Sequence, residues 1–586
     1  MEHDWRNIEN GRAIPSEGYC DQAYVVHTDD GHWLCVMTTG PGVEGEPGQH
    51  IIACRSADQG RTWDAPVALE PRDGVEASYA VPLKTPGGRV YAFYNHNTDN
   101  SRKVRADKDL FPDGYCRRVD SLGYFVFKYS DDHGRTWSDR RYPVPVREMD
   151  IDRENAYTGK IRFFWNVGRP LVHHGAAYVP LHKVGGFGKG FFTRTEGVFL
   201  RSDNILTERD PEKIVWETLP EGPAGLRAVS GAIAEEHSLT ALSDGTLYCV
   251  YRTVAGHPCH AFSLDDGRTW SEPAHMTHRP GGRRIKNPRA ANFVWRTQDG
   301  HYLYWFHNHA RLELSPGWEG YAGRNPVWVC GGIERDGHVE WSEPEILLYS
   351  DLTHDRMSYP DLVEENGEFF VTETQKETAR VHAIPRPFLD ALWRQDARDS
   401  LCQDGLVCAL RGEPGLKPGA YDVPALRDVG ETGGFALECC IRFNRWAPFQ
   451  IILDTRVPNG HGMLLATTDR HTLKLCLADG KTESAWESDS GLFQPGRWHH
   501  VGIVIDYGPK LILFIVDETL CDGGDERQFG WGRFHPDLGN VHSGRRLHVA
   551  SDFRGEVHAV RIYDRPLLCS EMIGNQRATA KALHAP

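Results

Sequence analysis

Up to about residue 386 the chain alternates short apolar runs with polar turns, and the runs are too short for helices. Residues 24–28, 33–38, 247–252 and 302–307 are examples, each next to residues that favour turns. This spacing predicts brief alternating strands joined tightly to one another. Residues 388–395 then read as one short helix. From about residue 401 longer alternating strands follow, at 435–443, 450–455, 500–506 and 511–516. The chain is therefore expected to be all-β and in two parts.

One octet recurs within the first part. Ser56-Ala57-Asp58-Gln59-Gly60-Arg61-Thr62-Trp63 returns as residues 130–137 and 263–270, always as Ser-x-Asp-x-Gly-x-Thr-Trp. Each copy follows an apolar run, as a hairpin tip would. The Asp can accept backbone N–H groups, and the Gly supplies positive φ cheaply. The Trp is a large anchor, expected to be largely buried between sheets. Degenerate copies end at Trp216 and Trp341, so the tryptophans are spaced by 74, 79, 54 and 71 residues. A repeated hairpin at that spacing means a repeated four-stranded sheet. Counting hairpins gives a six-bladed β-propeller, with blades starting near Tyr19, Glu76, Phe163, Glu235, Lys286 and Tyr359. The expected division is 1–395 for the propeller and 396–586 for a β-sandwich.

Composition narrows the partners. The chain has 586 residues, 66 Lys plus Arg against 81 Asp plus Glu, and a net charge of −15. No basic run stands out, so nucleic acid is not an expected partner. Nothing is apolar for 18 residues, and the polar start lacks a secretory core, so no membrane is expected either. Fourteen cysteines are scattered without metal-type spacing. Buried thiols, and with them a cytoplasmic location, are the expectation. No cofactor is called for. Seventeen tryptophans and 21 tyrosines suit blade packing and sugar stacking.

Each predicted blade sends polar residues to one face, where the innermost strand begins and the second strand ends. The first offers Asp21, Glu44 and Glu46. The second offers Glu76, Tyr79 and His96, the third Trp165, Arg169 and His182. The fourth offers Glu235, Glu236 and Arg252, the fifth Lys286, Arg289, His307 and His309. The sixth offers Tyr359, Asp361 and Lys376. Recurrence at equivalent places in six blades argues for a polar pocket on one axis.

These residues resemble a family. The octets and the stretch from Glu235-Glu236-His237 to Arg252 are similar to the sialidase superfamily, whose Asp-box repeats lie on the face away from the active site. Arg324, in Gly-Arg-Asn-Pro-Val-Trp, is similar to a second carboxylate-binding arginine. Tyr359, in Ser-Tyr-Pro-Asp-Leu-Val, looks like the tyrosine nucleophile. The resemblance implies retaining glycoside hydrolysis, with Glu236 as base and Asp21, Glu44 or Glu46 as proton donor. One departure stands out. Where the family's first blade carries an arginine, this chain has Tyr19-Cys20-Asp21-Gln22, so a three-guanidinium clamp would need Arg169 or Arg289. Gly496-Arg497-Trp498-His499-His500-Val501-Gly502 and the stretch from Gly555 to Leu567 resemble a laminin-G-like, concanavalin-type jelly roll.

Three classes fit the residues. A glycosidase uses Tyr359 and Glu236. A lyase on uronic-acid glycans would draw on His96, His182, His307 and His309 to move protons. A non-catalytic glycan-binding propeller would need none of them to react.

Overall fold

The computed structural model describes residues 4–106, 111–118, 120, 123–188, 191–310, 323–413 and 415–583. The chain is all-β, with few helices. It divides into two compact units. One comprises residues 8–341 and 352–388, the other 1–7, 342–351 and 389–586. The expected division at 395/396 thus compares with a main crossing at 388/389 and two further segments that join the C-terminal unit. No helix among the described residues is long and apolar enough to cross a membrane.

The larger unit contains six antiparallel sheets of four or five strands. One edge strand of each sheet begins at Tyr19, Ala77, Phe164, Glu235, Phe293 and Ser358 respectively. Consecutive sheets share apolar clusters: sixth with first, first with second, second with third and third with fourth. Ser238 Oγ bonds the Val294 backbone between the fourth and fifth, and Arg324 reaches Ser358 Oγ between the fifth and sixth. The strand Arg12–Ile14 pairs with Ala379–Ile384 and so supplies the outer edge of the sixth sheet.

Sheets covered on both faces explain one difference from the sequence pattern. Tyr19–His27 and Trp33–Gly40 are buried almost throughout rather than on alternate residues. A strand between two neighbouring sheets has no solvent side, so both of its faces are in a core.

The three octets have identical bonding. Ser56, Ser130 and Ser263 each accept the N–H of their Gly through Oγ, at 2.8, 2.8 and 2.9 Å. Asp58, Asp132 and Asp265 each accept both the N–H and the hydroxyl of their Thr. Trp63, Trp137 and Trp270 are half-buried and pack on the margins of the clusters shared by adjacent sheets. A tip residue can cover a seam between sheets without entering it.

In the C-terminal unit, a seven-stranded and a six-stranded antiparallel sheet share one apolar core. Strands occur at Gly434–Phe443, Ile451–Asp454, Trp498–Asp506 and Leu511–Val516, close to the predicted ranges. The helix Arg386–Trp393 is present as expected, straddling the division. A final helix, Cys569–Leu583, was not expected. Its residues lack a continuous apolar stripe, which hides the period that betrays a helix.

Candidate active site

A repeated backbone irregularity builds the site. In the first, second, fourth and sixth sheets this edge strand loses register just after its start. The shifts fall between Asp21 and Tyr24, Ser78 and Val81, Glu235 and Ser238, and Ser358 and Asp361. At each shift one residue turns left-handed: Gln22 (φ 56°), Tyr79 (63°), Glu236 (56°) and Tyr359 (48°). Non-glycine residues adopt this conformation at a cost, and bulges re-aim a side chain. Two of the freed N–H groups are met from the sheet before. Tyr79 N–H donates to Thr38 Oγ1 (2.8 Å), and Glu236 N–H to His182 Nδ1 (3.2 Å).

Two bulge residues meet. Tyr359 Oη donates to Glu236 Oε1 over 2.7 Å, and Arg252 Nη1 lies 2.7 Å from the same oxygen. All three side chains are buried. Burial raises the Glu236 carboxyl, Arg252 pulls it back, and the balance stays above the ordinary range. Burial and the adjacent Glu236 push the Tyr359 phenol well up, so it keeps its proton at rest. Glu236 Oε2 is buried without a hydrogen-bond partner. Behind this pair, Glu235 takes Arg252 Nε (2.8 Å) and Arg289 Nη2 (2.6 Å). Burial works against the Glu235 charge, but Arg289 and Arg252 win and bring its pKa to about 2.

A second group faces the Tyr359 ring. Lys376 Nζ lies 4.0 Å from the ring centroid and donates to Asp21 Oδ2 over 2.7 Å. Tyr19 Oη donates to the same oxygen over 2.8 Å. Burial lifts Asp21 to about 6 despite Lys376, and Asp21 Oδ1 is buried without a partner. Glu44 is 3.4 Å from Lys376 and 2.8 Å from Arg118 Nη2. Burial raises it, but the two cations prevail and hold it well below the usual carboxylate range. Arg118 also bonds Tyr79 Oη (3.0 Å) and Asp120 Oδ2 (2.6 Å). Tyr79 stacks on Trp165, 4.2 Å between centroids. Glu44 and Arg118, with side chains 22% and 17% exposed, are the members of this group that reach solvent.

The remaining expected site residues have other partners. Glu46 is exposed and accepts the N–H of Val43 in its own loop. Glu76 forks onto Arg102, at 2.8 and 2.6 Å. Arg169 bonds Asp361 Oδ1 (2.5 Å), Leu362 O and Val25 O, and Asp361 takes the Val25 N–H. This pair ties three sheets together. His96 bonds Thr98, and burial lowers it to about 4. His182, lowered by burial to about 3, is the neutral acceptor that supports the Glu236 bulge. His309 bonds Gly323 O (2.7 Å), and His307 N–H donates to Asn287 Oδ1. Lys286 is buried, with an electrostatic effect on His309. Arg324 Nη1 donates to Ser358 Oγ (2.8 Å), next to Tyr359, and its charge is felt by both Glu236 and Glu44.

The profile of the BNR repeat-like domain matches residues 77–371, just over half of the chain. The chain belongs to the BNR repeat-like domain family. No curated protein matches its sequence. Among solved structures, a Trypanosoma rangeli sialidase in complex with 2,3-difluorosialic acid is 12% identical. That match covers 99% of this chain and 98% of the other, with a TM-score of 0.44. A Ruminococcus gnavus intramolecular trans-sialidase is 14% identical over 66% of this chain and 99% of its own, at 0.43. A Dyadobacter fermentans protein of unknown function is 13% identical over 64% and 96%, at 0.44. Likeness at these scores bears on neither substrate nor chemistry.

The BNR repeat-like span contains Tyr79, Arg118, Glu236, Arg252, Arg324 and Tyr359, while Asp21 and Glu44 precede it and Lys376 follows it. Two members of this constellation, Arg118 and Asp120, were not singled out in the sequence. They lie in a long loop of the second sheet, between Val90–His96 and Tyr124–Ser130, where no strand pattern flags them. The sequence signal available was an Arg-x-Asp pair, which is common in loops.

Proposed function

We propose that this BNR repeat-like chain is a retaining glycoside hydrolase built on a six-bladed propeller, followed in sequence by a laminin-G-like jelly roll. The observation that carries the reading is the 2.7 Å bond from Tyr359 Oη to Glu236 Oε1, with Arg252 on the same carboxylate oxygen. A phenol held against a buried carboxylate is an activated nucleophile. Glu236 takes the proton as the phenol oxygen attacks the anomeric carbon. The glycosidic oxygen leaves with the proton of Asp21, whose pKa of about 6 lets it hold one in mildly acidic solution. In the second half, water attacks the glycosyl–tyrosine bond, Asp21 takes the water's proton and Glu236 returns one to the phenol. Arg252 and Arg324 stabilise the negative charge that moves between Glu236 and Tyr359.

The substrate in this reading is a glycan other than a simple sialoside. Arg289 is turned to Glu235 and Arg169 to Asp361, so neither completes a three-guanidinium clamp. The first sheet offers Asp21 with Lys376, a pair better matched to a hydroxyl than to a carboxylate.

The test is a panel of 2-deoxy-2-fluoro glycosides followed by peptide mass analysis. A glycosyl adduct on Tyr359 supports the proposal. Turnover of a glycan without any adduct, or with an ultraviolet-absorbing unsaturated product, overturns it in favour of a lyase.

A further inference from the structure

Two adjacent histidines and an aspartate come together away from the residues described above. The hairpin between Leu171–His173 and Ala176–Gly188 in the third sheet turns through His174 (φ 48°) and Gly175 (φ 77°). That is a two-residue turn with both central residues left-handed. It sets the His173 and His174 rings side by side, 3.7 Å between centroids. Opposite them stands Asp266, from the third octet, in the fourth sheet's hairpin.

Asp266 Oδ1 is 2.8 Å from His174 Nδ1 and 3.8 Å from His173 Nε2. The potential ligand atoms of the three side chains all lie within 4.8 Å of one another. Ligands about 2.0–2.2 Å from a tetrahedral ion stand about 3.3–3.6 Å apart, a spacing the two observed distances bracket. The second, independent observation is His173 itself. Its side chain is only 9% exposed, and its Nε2 is buried with no hydrogen-bond partner while pointing toward Asp266.

An ordinary ion pair explains part of this arrangement. The octet position before the Gly is left-handed in all three copies, at Gln59, His133 and Asp266. Gln59 simply bonds Glu368 of the sheet before, and Asp266 with His174 alone would be the same kind of tie. It leaves the buried His173 Nε2 unexplained.

We propose that His173 Nε2, His174 Nδ1 and Asp266 Oδ1 form a binding site for a divalent transition-metal ion of the zinc type, which clamps the third sheet to the fourth. Two imidazoles and one carboxylate suit zinc, nickel or copper(II) better than magnesium or calcium. The three protein ligands leave a position for water, and His174, 57% exposed, puts that position at the surface. The site is separate from Tyr359 and Glu236, so it stands or falls independently of the hydrolase reading.

The experiment is calorimetric titration of the chelator-stripped full-length chain with Zn2+, beside His174→Gln and Asp266→Asn. His174 is at the surface, so its replacement leaves the fold intact. The expected result is one Zn2+ equivalent in the wild type whose affinity falls by at least about 10–100-fold in each variant, since even outer-shell partners cost that much. Zn2+ should also raise the melting temperature of the wild type and not of the variants. Equal Zn2+ affinity in wild type and His174→Gln, or no binding by the wild type, would overturn the proposal.

Discussion

Glu236 and Tyr359 occupy the same backbone position in two different sheets, the left-handed residue of a bulge, and their side chains meet at 2.7 Å. A carboxylate and a phenol are thereby aimed at each other by the same irregularity used twice. Each is set by its own strand, and neither depends on a mobile loop.

Removing the phenol oxygen tests that pairing. Tyr359→Phe is expected to lower kcat by on the order of 10⁴-fold or more while substrate binding, read by calorimetry, persists. Glu236→Gln should act in the same direction. Near-normal turnover in Tyr359→Phe would move the chemistry elsewhere.

The pH profile should report Asp21. Its folded-state pKa of about 6 lies above the ordinary carboxyl value. In the proposed reaction the protonated form is the donor, so the rate is expected to fall as pH rises through about 6. Asp21→Asn should cost roughly 10²–10⁴-fold and remove that limb. The linkage to stability has the same sign. A raised carboxyl favours folding most below its unfolded value, and that contribution is lost as pH rises through about 6.

The octet aspartates should behave in the opposite way. Asp58 is held at about 2 by the Thr62 N–H and hydroxyl, and Asp132 and Asp265 are also lowered. Their contribution is present above the unfolded value near 4 and lost as pH falls toward 2. Replacing all three with Asn should flatten acid denaturation between those limits, as followed by circular dichroism. Trp270→Ala should cost about 2–3 kcal/mol in denaturant titrations, below the usual range for a core tryptophan because the ring is half-buried.

Sialosides make a fourth test. With Arg289 and Arg169 committed to Glu235 and Asp361, the wild type is expected to leave a standard aryl sialoside essentially uncleaved. Efficient release of the aryl group would show that Arg252, Arg324 and Lys376 suffice as a clamp.

Much of the fold was legible in the sequence because the octet and the hairpin spacing are local signals. One edge strand of each sheet starts within a few residues of a predicted blade start, apart from the fifth sheet's, at Phe293 rather than Lys286. The site was legible only in part. Glu236, Arg252, Arg324 and Tyr359 stood beside apolar runs and could be listed. What could not be read was direction: Arg169 and Asp361 look equally exposed to a ligand in sequence, yet they bond each other across 192 residues. Asp21 and Lys376 are 355 residues apart, and only the packing of the first sheet against the sixth makes them partners. The left-handed turns at Gln22, Tyr79, Glu236 and Tyr359 leave no mark either, since no glycine announces them.

The pairing of Arg12–Ile14 with Ala379–Ile384 has a consequence for how the chain is made. The sheet that carries Tyr359 lacks its edge until a strand from the start of the chain meets one synthesised some 370 residues later. Contacts of such sequence separation form late, because the intervening loop must first be closed. Until the ribosome has passed Ala379–Ile384, the first strand waits unpaired. The sheet that carries Tyr359 is therefore completed after the strands before it, and no chain that stops short of Ala379–Ile384 carries it in finished form.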